Sequence, residues 1–260
     1  MFTISFPQPS SAVSSVVGRS RDAGSLGVVF LHGWRRDLSD WTRVIELLGD
    51  DLSILTLDLP GFGDSPEPLV AVNSMGYAQA VAEVIREWRR QAGVGRLLVV
   101  GHSFGGRVAI ELASMVAPEL VDELVLVGVP IIRPSSQAKT PLGYRVIRTL
   151  AGVGVVSEKR LEQARRRYGS DDYRQAQGVM RKIFVEVVNE EYLDHLLLIQ
   201  RPIWMLWGAL DQACPVAQAR QAASSSSWAT LKVLDGVHHL VPLEDPQAIA
   251  DLITTRVVES

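Results

Sequence analysis

Residues 101–105 read Gly-His-Ser-Phe-Gly, which places Ser103 between two glycines. The apolar run at 97–100 just before them predicts a buried β-strand. Apolar residues at helical spacing follow, at Val108, Leu112 and Met115. A serine on a sharp strand-to-helix turn projects its hydroxyl above the sheet, and the flanking glycines leave room for that turn. This context favours Ser103 as a nucleophile over the alternative, a helix-capping serine in a glycine-rich turn.

A second motif lies near the end of the chain, where residues 236–246 read Gly-Val-His-His-Leu-Val-Pro-Leu-Glu-Asp-Pro. Together with the serine turn, this segment resembles the α/β-hydrolase family, whose histidine loop is written G-x-G-H, four residues, Glu, x, Pro. The resemblance implies that the catalytic histidine is His239. His238 takes the place of the usual second glycine, so it stays an alternative base, with a role in packing the loop as its expected one.

The family's chain order of serine, acid and histidine disfavours the other histidines, His32, His102 and His195. The acid should follow the strand before the histidine loop, and residues 207–211, Trp-Gly-Ala-Leu-Asp, resemble the family's G-x-x-D turn. Asp211 would then hold the imidazole in its productive tautomer. The alternative is an aspartate that caps a helix. Some relatives carry the acid after an earlier strand, but residues 128–130 contain no carboxylate, which favours Asp211.

Hydrolysis of a carbonyl compound also needs donors for the negative charge that develops on its oxygen. The resemblance implies two backbone N–H groups, one on Phe104 after the nucleophile and one on Trp34 in the segment His32-Gly33-Trp34, which resembles the family's H-G-x loop. His32 is expected to brace this loop by hydrogen bonds. Residues 58–65, Asp-Leu-Pro-Gly-Phe-Gly-Asp-Ser, resemble the family segment D-x-P-G-x-G-x-S and predict a turn beside the site, without a chemical role.

The elements that position these residues are short apolar runs that alternate with helical patterns. Such alternation is typical of a mostly parallel sheet with helices on both faces. The predicted strands are 28–31, 54–57, 97–100, 124–127, 203–207 and, last, 231–234. Helical spacing is clear at Val81, Val84, Ile85 and Trp88, and again after the cap residue Asp245. The fold class is therefore α/β, and the resemblance, over residues 28–130 and 202–258, makes it the α/β-hydrolase fold.

The strand pattern is interrupted between residues 131 and 200, where Met180, Ile183, Phe184 and Val187 show helical spacing. We therefore expect a core of residues 1–130 and 201–260 and a helical cap, or lid, at 131–200. That segment has 12 Lys or Arg against 8 Asp or Glu, a net charge of +4 in a chain of net charge −3. A solvated basic face is one explanation, with Arg165, Arg166 and Arg167 pointing to water. The other is attraction of an anionic substrate, helped by Arg35 and Arg36.

Composition narrows the class of protein further. The 260 residues are 47% hydrophobic and 21% charged, which favours a folded chain with one large core. A net charge of −3 gives no general attraction to nucleic acid or anionic membranes. Cys214 is the only cysteine, so there is no internal disulfide and no thiolate-built metal site. The first residues do not resemble a signal peptide, and no apolar run could span a bilayer, so a cytoplasmic location is expected.

These observations predict a serine hydrolase that needs neither metal nor cofactor, with Ser103, Asp211 and His239 as the catalytic triad. The favoured activity is a carboxylesterase that cleaves small or medium acyl esters, including anionic or carrier-bound ones. Residues 28–130 partly resemble the pimeloyl-carrier-protein methyl ester esterases. The same triad is also compatible with cleavage of a C–C, amide or lactone bond or with cofactor-free perhydrolysis. A ligand-binding protein without turnover is the third alternative. Haloalkane dehalogenases and epoxide hydrolases are disfavoured because they use an aspartate nucleophile.

Overall fold

A computed structural model describes residues 2–7, 12–133, 157, 160 and 171–258. An eight-stranded sheet runs through it in the order β1-β2-β4-β3-β5-β6-β7-β8. The strands are β1 (Phe2–Pro7), β2 (Ser15–Arg21), β3 (Leu26–Leu31), β4 (Ser53–Asp58), β5 (Arg96–His102), β6 (Glu123–Val127), β7 (Ile203–Gly208) and β8 (Ala229–Leu234). Pairing is antiparallel for β1 with β2 and for β2 with β4, and parallel from β4 to β8.

Helices are placed between and after these strands. They are α1 (Thr42–Leu47), α2 (Ser74–Ala92), α3 (Phe104–Glu111), α4 (Asp171–Gln175), α5 (Gly178–Val187), α6 (Leu193–Leu198), α7 (Val216–Ser225), α8 (Val241–Glu244) and α9 (Pro246–Val258). After α3 the chain continues as one π-helical turn over Leu112–Val116. No helix among the described residues has the length and apolarity needed to cross a membrane.

Side chains alternate between the two faces of the sheet, and each face is covered by helices. Val28 and Phe30 on β3 belong to a core that also contains Val44 of α1 and Ile249 of α9. The neighbouring β3 residues point to the opposite face, where α2 and α3 pack. All five residues of β6 are buried, as expected for a strand covered on both sides. The predicted α/β-hydrolase fold class, with a mostly parallel sheet between helices, is confirmed.

The six predicted strands are all present, with ends shifted by one or two residues. The sequence did not predict β1 and β2, the antiparallel pair at one side of the sheet. The predicted helix through Val81 to Trp88 is α2, and Asp245 caps α9 by accepting a hydrogen bond from the Ala248 N–H at 3.0 Å. The spacing at Met180 to Val187 likewise corresponds to α5.

The chain divides into two compact units, residues 1–132 with 191–260 and residues 133–190. Segment 191–200, which the sequence placed in the cap, belongs to the larger unit. The backbone N–H of Tyr192 donates to the carbonyl of Ile131 at 3.1 Å, and the Tyr192 hydroxyl lies 2.6 Å from that of Ser74. In the smaller unit, Tyr173 of α4 packs against Phe184 of α5. The role of residues 133–190 as a lid stays a prediction.

Candidate active site

The candidate nucleophile lies at the junction of β5 and α3, at the carboxyl end of a central parallel strand. Ser103 has φ 49° and ψ −111°, a backbone conformation that residues other than glycine seldom adopt. Its N–H donates to the carbonyl of Val127 on the neighbouring strand at 2.9 Å. Strained residues of this kind persist only where the surrounding structure enforces them, and they are concentrated at functional sites.

Close packing enforces this turn. A Cβ atom built on Gly105 would lie 2.3 Å from the carbonyl oxygen of Leu31, and one built on Gly106 would lie 2.1 Å from Cγ2 of Val129. Real Cβ atoms essentially never approach other atoms so closely. Helix α3 can therefore begin directly against β3 and the end of β6 only because these positions carry no side chain.

A chain of hydrogen bonds joins the three predicted catalytic residues. His239 Nε2 lies 3.1 Å from Ser103 Oγ, and His239 Nδ1 lies 2.8 Å from Asp211 Oδ2. The Asp211 carboxylate is fully buried, and its other oxygen accepts hydrogen bonds from the N–H groups of Ala213 and Cys214 at 2.9 and 2.8 Å. A carboxylate held in this way keeps the proton of the imidazole on Nδ1. Nε2 is then left as the acceptor that faces the serine hydroxyl.

The structure places the two adjacent histidines in different surroundings. The side chain of His238 is 62% exposed, and its Nδ1 lies 3.0 Å from a carboxylate oxygen of Glu244. Only His239 is within hydrogen-bond distance of Ser103. His195, the third histidine late in the chain, lies on α6, where its Nδ1 is 2.7 Å from Oε1 of Glu111.

The histidine loop between β8 and α8 is anchored from both sides. On one side the Glu244 carboxylate accepts hydrogen bonds from the backbone N–H groups of His238 and Leu240, at 2.8 and 3.2 Å. Although partial burial opposes the shift, these bonds lower the pKa of Glu244, so it is ionised at neutral pH. On the other side, Nε2 of His102 lies 2.9 Å from the backbone carbonyl of His239. From the sequence, His102 has no predicted role, and Glu244 appears only as part of the loop pattern.

The two residues that the sequence predicted as backbone donors both lie beside Ser103. Phe104 is the first residue of α3, where backbone N–H groups have no partner within the helix. Gly33, next to Trp34, is so close that a Cβ built on it would be 3.4 Å from Cβ of Ser103. The rings of Trp34 and Phe104 are in edge contact, with centroids 5.3 Å apart. The role of their N–H groups as oxyanion donors stays a prediction.

His32 braces the loop after β3, as the sequence predicted. Its Nδ1 lies 2.8 Å from the carbonyl of Gly33, and its Nε2 accepts a hydrogen bond from the Leu59 N–H at 2.9 Å. Burial lowers the pKa of His32, which keeps the ring neutral and therefore able to donate with one nitrogen and accept with the other.

The neighbouring loop, residues 58–65, is organised by the carboxylate of Asp58. It accepts hydrogen bonds from the N–H groups of Leu38 and Asp64, at 2.8 and 2.9 Å, and thereby joins two loops at this end of the sheet. Phe62 of the same loop packs against the Trp34 ring at 4.9 Å. Asp58 is therefore a structural residue of the site's surroundings, in line with the turn predicted there.

Gly128, just after β6, lies directly beside the hydrogen bond between His239 and Asp211. It has φ +55°, and a Cβ built on it would lie 3.3 Å from Nδ1 of His239 and 3.4 Å from Oδ2 of Asp211. Both the backbone conformation and the space therefore suit glycine. Gly128 is also one of the three residues, 128–130, where some relatives carry the catalytic acid and this chain has no carboxylate.

Among the described residues, the group whose side chains could hold a metal ion is Asp211, Cys214 and His239, with ligand atoms within 4.8 Å of one another. The facing oxygen of Asp211 and Nδ1 of His239 already share a hydrogen bond. Burial raises the pKa of the Cys214 thiol, which disfavours the thiolate that a metal needs. A metal would therefore compete with the hydrogen-bond chain.

With this geometry established, comparison with known proteins identifies the class. A sequence profile described as "Alpha/beta hydrolase family" matches residues 28–252, so the chain belongs to that family. The central sheet and the candidate site both lie largely within the matched residues.

The individual proteins that this chain resembles share less than 30% sequence identity with it in the following comparisons. The dihydrolipoyllysine-residue acetyltransferase component of the acetoin cleaving system of Cupriavidus necator is 28% identical over 242 residues, which cover 86% of this chain and 61% of that protein. The chain thus spans about six-tenths of that relative's length. A solved esterase from Thermogutta terrifontis has 20% identity and a TM-score of 0.69, with 100% of this chain and 99% of that chain covered. A hydrolase from Pseudomonas aeruginosa has 20% identity and a TM-score of 0.72, with 98% of both chains covered. At this identity the two structures support the fold alone.

Proposed function

We propose that this hydrolase is a serine carboxylesterase that cleaves small or medium acyl esters through an acyl-enzyme on Ser103. The observation that carries the proposal is the unbroken hydrogen-bond chain from Ser103 Oγ through His239 to the buried Asp211. Such a chain supplies an activated nucleophile, a base and an orienting acid in one place. A solved esterase has the same fold, which is compatible with this activity.

In the first half of the reaction, Ser103 Oγ attacks the ester carbonyl carbon while Nε2 of His239 takes the hydroxyl proton. The carbonyl oxygen becomes negatively charged, and the backbone N–H groups of Trp34 and Phe104 would stabilise it. When the C–O bond to the alcohol breaks, His239 returns the proton to the departing oxygen. Asp211 holds the ring throughout and stabilises its charged form. The acyl group is left on Ser103.

In the second half, water replaces the alcohol. His239 takes a proton from the water, whose oxygen attacks the acyl carbon. As the bond between Ser103 Oγ and the acyl carbon breaks, His239 gives that proton to Oγ, and the carboxylic acid leaves. These steps require neither metal nor cofactor. The same residues would act on an amide, a lactone or a C–C bond if the pocket accepted it, and those substrates remain the alternatives to a simple ester.

The charge of the substrate is a separate prediction. Arg36, one of the two arginines next to Trp34, pairs with the buried carboxylate of Asp40, with Nε 2.8 Å from Oδ2. This pairing offsets part of the positive charge and favours the solvated-face explanation. Arg165, Arg166 and Arg167 lie outside the described residues. Comparing kcat/KM for a neutral ester and an anionic ester of equal length, at low and high salt, decides between the two explanations.

The experiment that tests the activity compares Ser103→Ala with the wild-type enzyme and with Ser224→Ala, which removes an exposed serine hydroxyl. We expect Ser103→Ala to keep its melting temperature and to lose roughly 10⁴-fold or more in p-nitrophenyl acetate hydrolysis, as is typical when a triad serine is removed. A fluorophosphonate should label wild type and Ser224→Ala at Ser103, and should leave Ser103→Ala unlabelled. Hydrolysis retained by folded Ser103→Ala would refute the proposal. A panel of esters, amides, lactones and diketones then identifies the bond.

A further inference from the structure

The residue just before the nucleophile, His102, has surroundings that the reaction described above does not explain. It is the last residue of β5, and its side chain is buried. Its Nε2 lies 2.9 Å from the backbone carbonyl oxygen of His239, a residue 137 positions away in the chain. The two imidazole rings lie side by side, with centroids 5.0 Å apart.

The partner of Nε2 fixes the tautomer of the ring. A carbonyl oxygen can only accept a hydrogen bond, so Nε2 must carry the proton and donate it. Burial, reinforced by the nearby His239, lowers the pKa of His102 to about 3, so the ring is a neutral donor throughout the neutral pH range. Nδ1 then carries a lone pair and can only accept, and it has no hydrogen-bond partner among the described residues.

The unpaired Nδ1 carries a cost, because a buried polar atom without a partner lowers stability. The hydrogen bond from Nε2 is the interaction that requires a histidine here, since an apolar side chain of similar volume would leave the His239 carbonyl without its donor. The ring is also tightly packed, because a Cβ built on Gly33 would be 3.0 Å from Nδ1. His102 thus touches the loop after β3 on one side and the histidine loop on the other.

We propose that His102 is a positioning residue, whose Nε2–H anchors the backbone of His239 and thereby sets the distance from the imidazole to Ser103. The proposal rests on the proposed function of Ser103 and His239. Because His102 and Ser103 are consecutive, one peptide unit carries both the anchor and the nucleophile. The anchor therefore ties His239 directly to the turn that presents the hydroxyl.

The other anchor of the loop cannot replace this one. The Glu244 carboxylate holds the N–H groups of His238 and Leu240, which flank His239 and leave its carbonyl without support. Without the bond from His102, the His239 backbone can shift away from Ser103 while Asp211 still holds the imidazole. A shift of about 1 Å in a reacting group can reduce a rate by roughly 10²-fold.

The test uses two amide side chains of different length. His102→Gln keeps an N–H donor with a reach similar to that of Nε2, whereas His102→Asn buries the same amide but is too short to reach the carbonyl. We expect His102→Asn to lower kcat and the rate of fluorophosphonate labelling by roughly 30-fold, with KM within about threefold of wild type, because geometry and not binding is disturbed. His102→Gln should recover most of the lost rate.

Ser103→Ala is measured alongside, so that two failures can be told apart. Inactive Ser103→Ala with equal rates for the Asn and Gln variants would overturn the positioning role alone. Activity in Ser103→Ala would overturn the proposed function. Should neither His102 variant fold, the ¹⁵N NMR spectrum of the wild-type imidazoles still decides. A neutral His102 with the proton on Nε2 supports the anchor, and a proton on Nδ1 or a charged ring overturns it.

Discussion

The turn that carries Ser103 is held by steric contact, whereas the loop that carries His239 is held by hydrogen bonds. Around Ser103, neighbouring atoms pack so closely that Gly105 and Gly106 have no room for a side chain, and the serine itself is strained. Around His239, side chains from distant parts of the chain, Glu244 and His102, bind the main chain. The close packing leaves the Ser103 turn only one geometry. The His239 loop can instead lose its hydrogen bonds one at a time.

This difference predicts how each region fails. A side chain added at a glycine of the turn should disturb fold and activity together, because the packing between α3 and the sheet is part of the core. A substitution among the anchors of the loop should reduce the rate in graded steps and leave the fold largely intact. The following four experiments test that contrast, from the largest expected effect to the smallest.

The largest effect is expected at the histidine loop itself. His239→Ala removes the base, and we expect a loss of roughly 10⁴-fold or more in kcat. His238→Ala removes an exposed side chain that contacts Glu244, and should retain more than roughly a tenth of the activity. Burst kinetics with a p-nitrophenyl ester measure both variants. The reverse ranking would make His238 the base.

The second experiment adds one methyl group to the turn. Gly105→Ala places Cβ 2.3 Å from the Leu31 carbonyl oxygen, so we expect a loss of about 3 kcal/mol or more in the free energy of unfolding, together with activity. The matched control is Gly93→Ala, where φ is +69° and a Cβ would meet nothing within 4 Å. That variant should lose only about 1 kcal/mol, from backbone strain, and stay active. Urea unfolding measures both, and equal losses would contradict the steric account.

The third experiment concerns stability in acid. An unfolded chain binds a proton on His102 below about pH 6.5, whereas the folded chain does so only near pH 3. The free energy of unfolding must therefore fall as the pH drops from 6.5 towards 3. Between pH 6.5 and 4.5, wild type should lose about 2 kcal/mol more than His102→Gln, which has no such group. Equal pH slopes for the two proteins would show that His102 titrates normally.

The smallest effect is expected at Glu244, the outer anchor of the histidine loop. Glu244→Gln keeps one acceptor oxygen but loses the charge that strengthens its hydrogen bonds, so kcat should fall by about fivefold with KM unchanged. Glu46→Gln is the matched control, since Glu46 is exposed and pairs only with Arg43 among the described residues. A larger loss than at His102 would mean that the outer anchor dominates the loop.

The sequence predicted the parallel part of the sheet because most of those strands are continuous apolar runs, as burial on both faces requires. The edge strand β8 is an exception, since it contains Lys232 and is only partly buried. The sequence did not predict β2, which reads Ser-Val-Val-Gly-Arg-Ser-Arg and mixes polar with apolar residues. A strand in the antiparallel, partly exposed part of a sheet has no need of a continuous apolar run. The segment 191–200 was assigned to the cap because it is helical, and helical spacing does not say which unit a helix packs against.

At the site, the sequence predicted residues that belong to short motifs, and the structure brings Ser103, Asp211 and His239 within hydrogen-bond distance. It missed His102 because that side chain binds a backbone oxygen, and no residue type marks a carbonyl 137 positions away. Glu244 offered a weak signal through its fixed spacing from His239 in the loop pattern. Long-range contacts to the main chain are the part of such a site that short motifs cannot encode.

Gly128 has a consequence for how this chain can change over generations. Single-nucleotide changes of a glycine codon lead to alanine, valine, serine, cysteine, arginine, aspartate, glutamate or tryptophan, and each places a Cβ next to His239 and Asp211. Each also puts an L-residue at φ +55°. Every one of these changes, including those to aspartate and glutamate, therefore introduces backbone strain and a close contact at this position. Moving the acid to this strand end would need a simultaneous rearrangement of the backbone, which favours keeping the acid at Asp211, after β7.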